Sequence, residues 1–296
     1  MENTKKVNEG YMLVALAGVC WGLMGILTKK LDILGFDELS VSALRPTVAV
    51  IFYVIYNLVR DTKCFKTDFK GIMFFILYGV VALDGMFLSF TYAVKYTSIG
   101  IASVLLFTNP IFVMVMSYFL FGEKFTKKKI IALVLSIVGC ILIVKAYDIQ
   151  AFKVNFIGIV FGVISGFTVA LQNVLGKIGA NKYSPKTHLI YSFLFAALFL
   201  WIFRSPWTIL SKINNSTSLF YVISIGIVAT VIPNGVFVKA LQYVESGKAS
   251  IICSIEPIVA AILGFVIFRE ILQIPQLIGM GFILFSVVLI QLDNKK

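Results

Sequence analysis

Seven polar side chains stand inside runs that are otherwise apolar: Arg45, Asp84, Asn109, Gln172, Asn173, Asn234 and Glu256. In hydrocarbon such groups are costly, so they face a protein interior or a wet cavity and mark places where polar cargo or protons are handled. Glu256 and Asp84 suit an ammonium group or a coupling proton, and Arg45 suits a carboxylate. The amides offer both donors and acceptors. Each residue also has a plainer reading. Arg45 lies close enough to the start of its run to snorkel outward. Asp84 has Arg45 and Lys95 as ion-pair partners within reach, and Gln172 and Asn173 suit hydrogen bonds between helices. Trp21 joins the set because it sits mid-run between Gly18 and Gly22, away from a membrane interface. Its ring either lines a cavity, where it would stack on a planar or cationic group, or packs in the core.

Catalytic chemistry finds no comparable support. There is no His/Cys/carboxylate cluster at metal-ligand spacing, no GxSxG, no P-loop and no GxGxxG after a strand. The single histidine, His188, reads as interfacial beside Lys186. Cys20, Cys64, Cys140 and Cys253 are too widely spread for a disulfide framework or a metal knuckle and read as core fillers. No metal, no cofactor and no catalytic residue are expected.

The elements that position these groups follow from composition. The chain has 296 residues, 59% of them hydrophobic and 14% charged, with mean hydropathy +0.97. Soluble domains carry roughly 25% charged residues, so the solvent for most of this chain is lipid. Runs of about 20 apolar residues cross the hydrocarbon as helices. Ten are present, over 11–33, 39–60, 71–94, 99–121, 127–147, 155–177, 186–204, 218–241, 247–268 and 274–292. Ala15–Leu16–Ala17 mimics a signal-peptide cleavage site, but too few apolar residues precede it, and the first run is expected to remain as a span. The net charge of +12 comes from short basic clusters between runs, which anchor a membrane protein rather than bind nucleic acid. With the N-terminus inside, 17 Lys and Arg fall on the cytoplasmic side and eight on the other. Both termini are therefore expected in the cytoplasm, in a multi-pass protein of the plasma (inner) membrane.

The sequence is also written twice. Residues 90–123 and 237–270 share ten identities in 34 ungapped positions, at an offset of 147. The shared marks are Phe90, Ala93, Tyr96, Gly100, Ala102, Ser103, Pro110, Ile111, Phe121 and Glu123. A spaced series recurring at one offset is a duplication, placing one repeat over 1–147 and the other over 148–296. Each holds five spans, an odd number, so the second enters the membrane upside down. Glu123 then falls on the inner side and Glu270 on the outer. Gly18 to Gly22 also recurs as Gly162 to Gly166, at an offset of 144. These glycines, with Gly158, read as close-packing seams. Ser98 and Ser246 stand where the fourth helix of each half needs an N-cap. Pro110 and Pro257 fall mid-span, where proline kinks a helix, and are candidate hinges. Asn109 and Glu256 precede them.

Taken together these features resemble the drug/metabolite transporter superfamily, EamA type. The resemblance rests on Ala-x-x-Tyr-x-x-x-Gly-x-Ala-Ser, on the mid-span proline and the Phe-x-Glu ending of each copy, and on Gly18-x-x-Trp21-Gly22 and Arg45. It implies an all-α polytopic membrane protein of ten transmembrane helices in two inverted five-helix repeats. It also implies a carrier of small metabolites, often amino acids and frequently exported. Two departures stand out: Glu256 is charged where an apolar or small polar residue is common, and Pro46 should distort the second span. The expectation is a secondary transporter for amino acids or related amine or zwitterionic compounds, alternating access around a midplane cavity, with a proton as coupling ion. Alternatives are a carrier or flippase for a polar lipid headgroup or choline-like cation and, further off, a membrane-embedded enzyme.

Overall fold

Inside hydrocarbon an apolar run can satisfy its backbone polar groups only as a helix or in a closed barrel, and this chain takes the helical route. The computed structural model describes residues 2–146, 155–269 and 271–292, with side chains from residue 6 onward. The expected repeat boundary at 147/148 and Glu270 lie outside the described residues.

Among the described residues nine helical spans are long and apolar enough to cross a membrane. Spans 1 to 4 are Lys6–Ile33, Glu38–Arg60, Phe69–Tyr96 and Ile99–Phe121. Spans 6 to 10 are Phe156–Lys182, Pro185–Phe203, Ser216–Ala240, Ser246–Phe268 and Ile274–Leu292. Span 5 is the helix Lys127–Ile143, which has 17 residues and is about 25 Å long at 1.5 Å per residue. Among the described residues the protein is thus all-helical, a multi-pass membrane protein with ten spans as expected, in two inverted five-helix repeats. Span 2 runs unbroken through Pro46, so the expected distortion does not interrupt it.

Helix starts obey the same register in both halves. Asp37 accepts the Ser40 N–H at the start of span 2, and Ser184, 147 positions on, accepts the Thr187 N–H at the start of span 7. Asp68 and Asn215, also 147 apart, cap spans 3 and 8. Asp37 in addition pairs with Arg204 and Lys212. Burial opposes its charge, but Ser40 and these two cations hold the carboxyl well below the usual carboxylate range. Span 4 keeps the rule, with Ser98 accepting from the Ile101 N–H. Span 9 breaks it. Ser246 is not the cap but the first helical residue; Glu245 occupies the cap position, and its side chain makes no capping bond.

The halves interdigitate. Span 1 packs against spans 8 and 9, span 6 against spans 3 and 4, span 2 against span 7, and span 5 against span 10. Exchanging the halves maps this set of pairings onto itself, as a pseudo-two-fold axis in the membrane plane requires. Two glycines let spans 3 and 8 approach their neighbours: a Cβ on Gly79 would collide with the Ser192 carbonyl in span 7, and one on Gly226 with Val48 in span 2. At these glycines the spans widen into π-helical turns, over Leu77–Asp84, which contains Gly79, and over Ile227–Val231, which follows Gly226.

Candidate functional site: a cavity at two broken helices

Spans 4 and 9 each consist of two helices end to end. Span 4 is Ile99–Leu106 and Asn109–Phe121; span 9 is Ser246–Cys253 and Ile255–Phe268. The sequence places a kink at each proline, whereas the structure places a full break ahead of it. Proline lacks an N–H, which the first turn of a helix does not need. The chain therefore ends one helix and starts another, with Pro110 and Pro257 inside the new first turn. The exposed ends find local partners: Asn109 Nδ2 donates to the Leu106 carbonyl at 3.0 Å and Thr108 Oγ1 to the Leu105 carbonyl at 2.6 Å. Glu256 lies in the first turn of its half-helix, where the helix dipole favours a negative charge.

Spans 1 and 6 press on these breaks. A Cβ on Gly22 would stand 2.8 Å from the Glu256 carbonyl, and one on Gly166 2.7 Å from the Leu105 carbonyl. The duplicated glycines are thus seams against the broken helices in particular.

A cavity of about 110 Å³ opens at this crossing, enough for several water molecules. Trp21, Arg45, Asn109, Gln172, Asn173, Asn234 and Glu256 all line it, although they come from six different spans. Trp21 meets Phe237 edge-on with ring centroids 5.3 Å apart. Arg45 is buried and does not snorkel. Its Nε donates to Thr230 Oγ1 at 3.1 Å, its Nη2 approaches the Ala229 carbonyl at 3.5 Å, and its guanidinium lies 4.6 Å over the Phe87 ring. Gln172 Nε2 donates to the Ala82 carbonyl at 2.9 Å. Both anchor points, Ala229–Thr230 and Ala82, belong to the π-helical turns, so each half's widened turn holds a cavity side chain from the other half. Asn173 and Asn234 donate to carbonyls of their own helices, Val169 and Thr230, and Asn173 Oδ1 has no protein partner. Arg45 and Glu256, one from each half, both line the cavity.

Asp84 stands apart. It does not line the cavity; it is fully buried, and neither carboxyl oxygen has a hydrogen-bond partner. The ion pair with Arg45 or Lys95 is not formed, since Arg45 is held by span 8 and the Lys95 ammonium lies over the Tyr92 and Tyr96 rings. His188 also departs from expectation. It is not interfacial but fully buried among Phe74, Phe75 and Tyr78, with neither ring nitrogen bonded. Sequence reasoning missed several wall residues, among them Tyr78, Phe87, Thr230 and Cys253, and it missed the π-helical turns. A signal for the turns was present: Gly79-x-x-Ala82 recurs as Gly226-x-x-Ala229 at the same offset of 147.

Known proteins are similar to this chain in sequence and in fold. The sequence profile of the EamA-like transporter family matches twice, over residues 8–145 and 156–292. A protein of Archaeoglobus fulgidus described as an uncharacterized transporter is 29% identical over 281 residues, covering 95% of each chain. The uncharacterized inner membrane transporter YicL of Salmonella typhimurium is 23% identical over 304 residues, covering 100% of this chain and 98% of its own. A protein of known crystal structure superposes with a TM-score of 0.82 at 14% identity, over 97% of this chain and 98% of that one, which shows the fold. The chain belongs to the EamA-like transporter family, and it is a membrane transporter.

Proposed function

We propose that this transporter is a secondary carrier that moves amino acids, or related amine-bearing zwitterions, out across the plasma membrane by alternating access. One observation carries the reading. Arg45 and Glu256, of opposite charge and from opposite halves, face one cavity at the broken helices. Thr230 and Ala229 hold Arg45 from behind, so its charge serves a ligand carboxylate, while Glu256 takes the ammonium group or a coupling proton. Discontinuous helices of this kind form the binding sites of many secondary transporters. The amides of Asn109, Asn173 and Asn234 supply further polar contacts, and Asp84 is the second candidate proton site. The repeats, 1–147 and 148–296, rock against each other with flexing at Pro110 and Pro257. The surplus of Lys and Arg on one side puts both termini in the cytoplasm.

The aromatic wall of Trp21, Phe87 and Phe237 favours a second reading, a choline-like cation or lipid headgroup amine, held by cation–π contact. Counterflow in proteoliposomes with labelled amino acids, choline-like cations and nucleobases, with and without a pH gradient, separates the two. Accumulation of an amino acid, enhanced by the gradient, is the expected outcome. Accumulation of choline alone would replace the cargo, and accumulation of nothing would sink the small-metabolite reading.

A further inference from the structure

The two ends that inverted symmetry should make alike are sealed very differently. Ile99–Leu106 and Ser246–Cys253 are the same segment of each repeat, 147 positions apart. All residues from Ser246 to Ile252 are buried, whereas among Ile99 to Leu106 only Ile101 and Ala102 are. Both segments hold equivalent places in the fold, so the protein covers the face where span 9 begins more completely than the face where span 4 begins.

Side chains of the other half cover that end, and Glu123 makes the contacts to its backbone. Glu123 follows span 4, yet its Oε1 accepts the Ser246 N–H at 2.9 Å and its Oε2 the Gly247 N–H at 3.1 Å. These are orphan donors of the helix that Glu245 leaves uncapped. Lys177 of span 6 donates to Glu123 Oε1 at 2.9 Å and to the Val244 carbonyl at 3.3 Å. The Glu123 side chain is only 7% exposed. Glu245, freed from capping, pairs instead with Lys129 at 2.7 Å and Lys248 at 3.3 Å. Beneath lies a dry plug in which Met114 of the first half packs with Ala249, Ile251 and Ile252 of the second, and the cleft between Met114, Glu123 and Gly247 admits no water.

We infer that Glu123 is the residue that sets which face the cavity is closed to, a latch between the halves made in this state and broken when the cavity opens toward the span 9 start. It rests on the alternating-access reading but not on the cargo. A carboxylate bonded to two backbone N–H groups and an ammonium is a strong charge-assisted contact. Such a contact biases a conformational equilibrium only if one state makes it and the other does not.

Cys253 supplies the readout, since it lines the cavity while Cys20, Cys64 and Cys140 are buried. A membrane-impermeant maleimide is applied to each face in turn of vesicles of known orientation, with Cys253→Ser as background. In Glu123→Ala, labelling from the face where span 9 begins should rise about tenfold or more, as expected when charge-assisted bonds made in one state only are lost. Labelling from the opposite face should fall. Lys177→Met keeps the two backbone bonds and should give a smaller rise on the same face; it serves also if Glu123→Ala fails to accumulate. A merely structural role would change labelling from both faces alike or lower only the melting temperature, and either result, or unchanged labelling in both variants, overturns the latch. Because no substrate is used, this outcome is independent of the counterflow result.

Discussion

In span 4 the residue ahead of the proline is Asn109, whose amide turns back to cap the Leu106 carbonyl. In span 9 the same position holds Glu256, which faces Arg45 across the cavity and lies in the first turn of its half-helix. The two positions share the break, the following proline and a glycine of the crossing span pressed against the break. One copy has a neutral amide, bonded back to its own helix, where the other has a carboxyl group. The common parts build a cavity that inverted symmetry can open to either side, and the unshared position gives that cavity a polarity for cargo.

Replacing the two residues should separate them sharply. Glu256→Gln should lower kcat/KM for the transported amine by on the order of 30- to 100-fold, the loss of one charge partner in a desolvated site. Asn109→Ala removes one neutral hydrogen bond and should stay within about threefold. Initial-rate uptake into proteoliposomes, normalised to inserted protein, measures both. Equal losses would mean that the two positions share one structural role, and the division drawn between them would fail.

The next comparison asks whether the shared parts are energetically equivalent. Gly22→Leu and Gly166→Leu both drive a side chain into the backbone of a break, at the Glu256 and Leu105 carbonyls respectively. Overpacking of this kind destabilises by about 1–3 kcal/mol, and the two variants should lose similar amounts in thermal unfolding in detergent. A marked inequality would show that one break is held more rigidly than the other.

Much of this was readable before any coordinates. Hydropathy located the spans because hydrocarbon leaves a buried backbone few options, and the offset of 147 exposed the duplication and with it the inversion. The polar census named six of the residues that line the cavity, because an intramembrane polar group must find a partner or water; Asp84 was the exception, and Trp21 was found by its mid-span place between two glycines. What stayed hidden depends on contacts distant in sequence or on geometry that leaves no trace in hydropathy. The register at Ser246 misled because the helix it begins is capped by Glu123, 123 positions away. A π-helical turn shifts each hydrogen bond by one residue without changing the apolar pattern, so only the recurring Gly-x-x-Ala hinted at it. His188 read as interfacial from its neighbour Lys186, but Phe74, Phe75 and Tyr78 of span 3 enclose it, and no local pattern announces them.

The smallest effect lies where the backbone is duplicated and the residue is not. Span 4 ends at Gly122, with φ 66° and ψ 23°, and span 9 ends 147 residues later at Arg269, with φ 56° and ψ 31°. Both helices stop by turning into the left-handed region, which glycine adopts freely and a side chain disfavours by roughly 1–2 kcal/mol. Gly122→Ala should therefore destabilise by about 1 kcal/mol. Arg269→Gly should stabilise by somewhat less, because glycine has more conformational freedom to lose on folding, about 0.5–1 kcal/mol. Opposite signs at two positions of nearly identical backbone, read as shifts in thermal unfolding, would show that the duplicated turn is fixed by the fold and that Arg269 is carried at a strain. If Arg269→Gly destabilised instead, the arginine side chain would be making a contact that outweighs that strain, and the second copy of the turn would have a role that the first lacks.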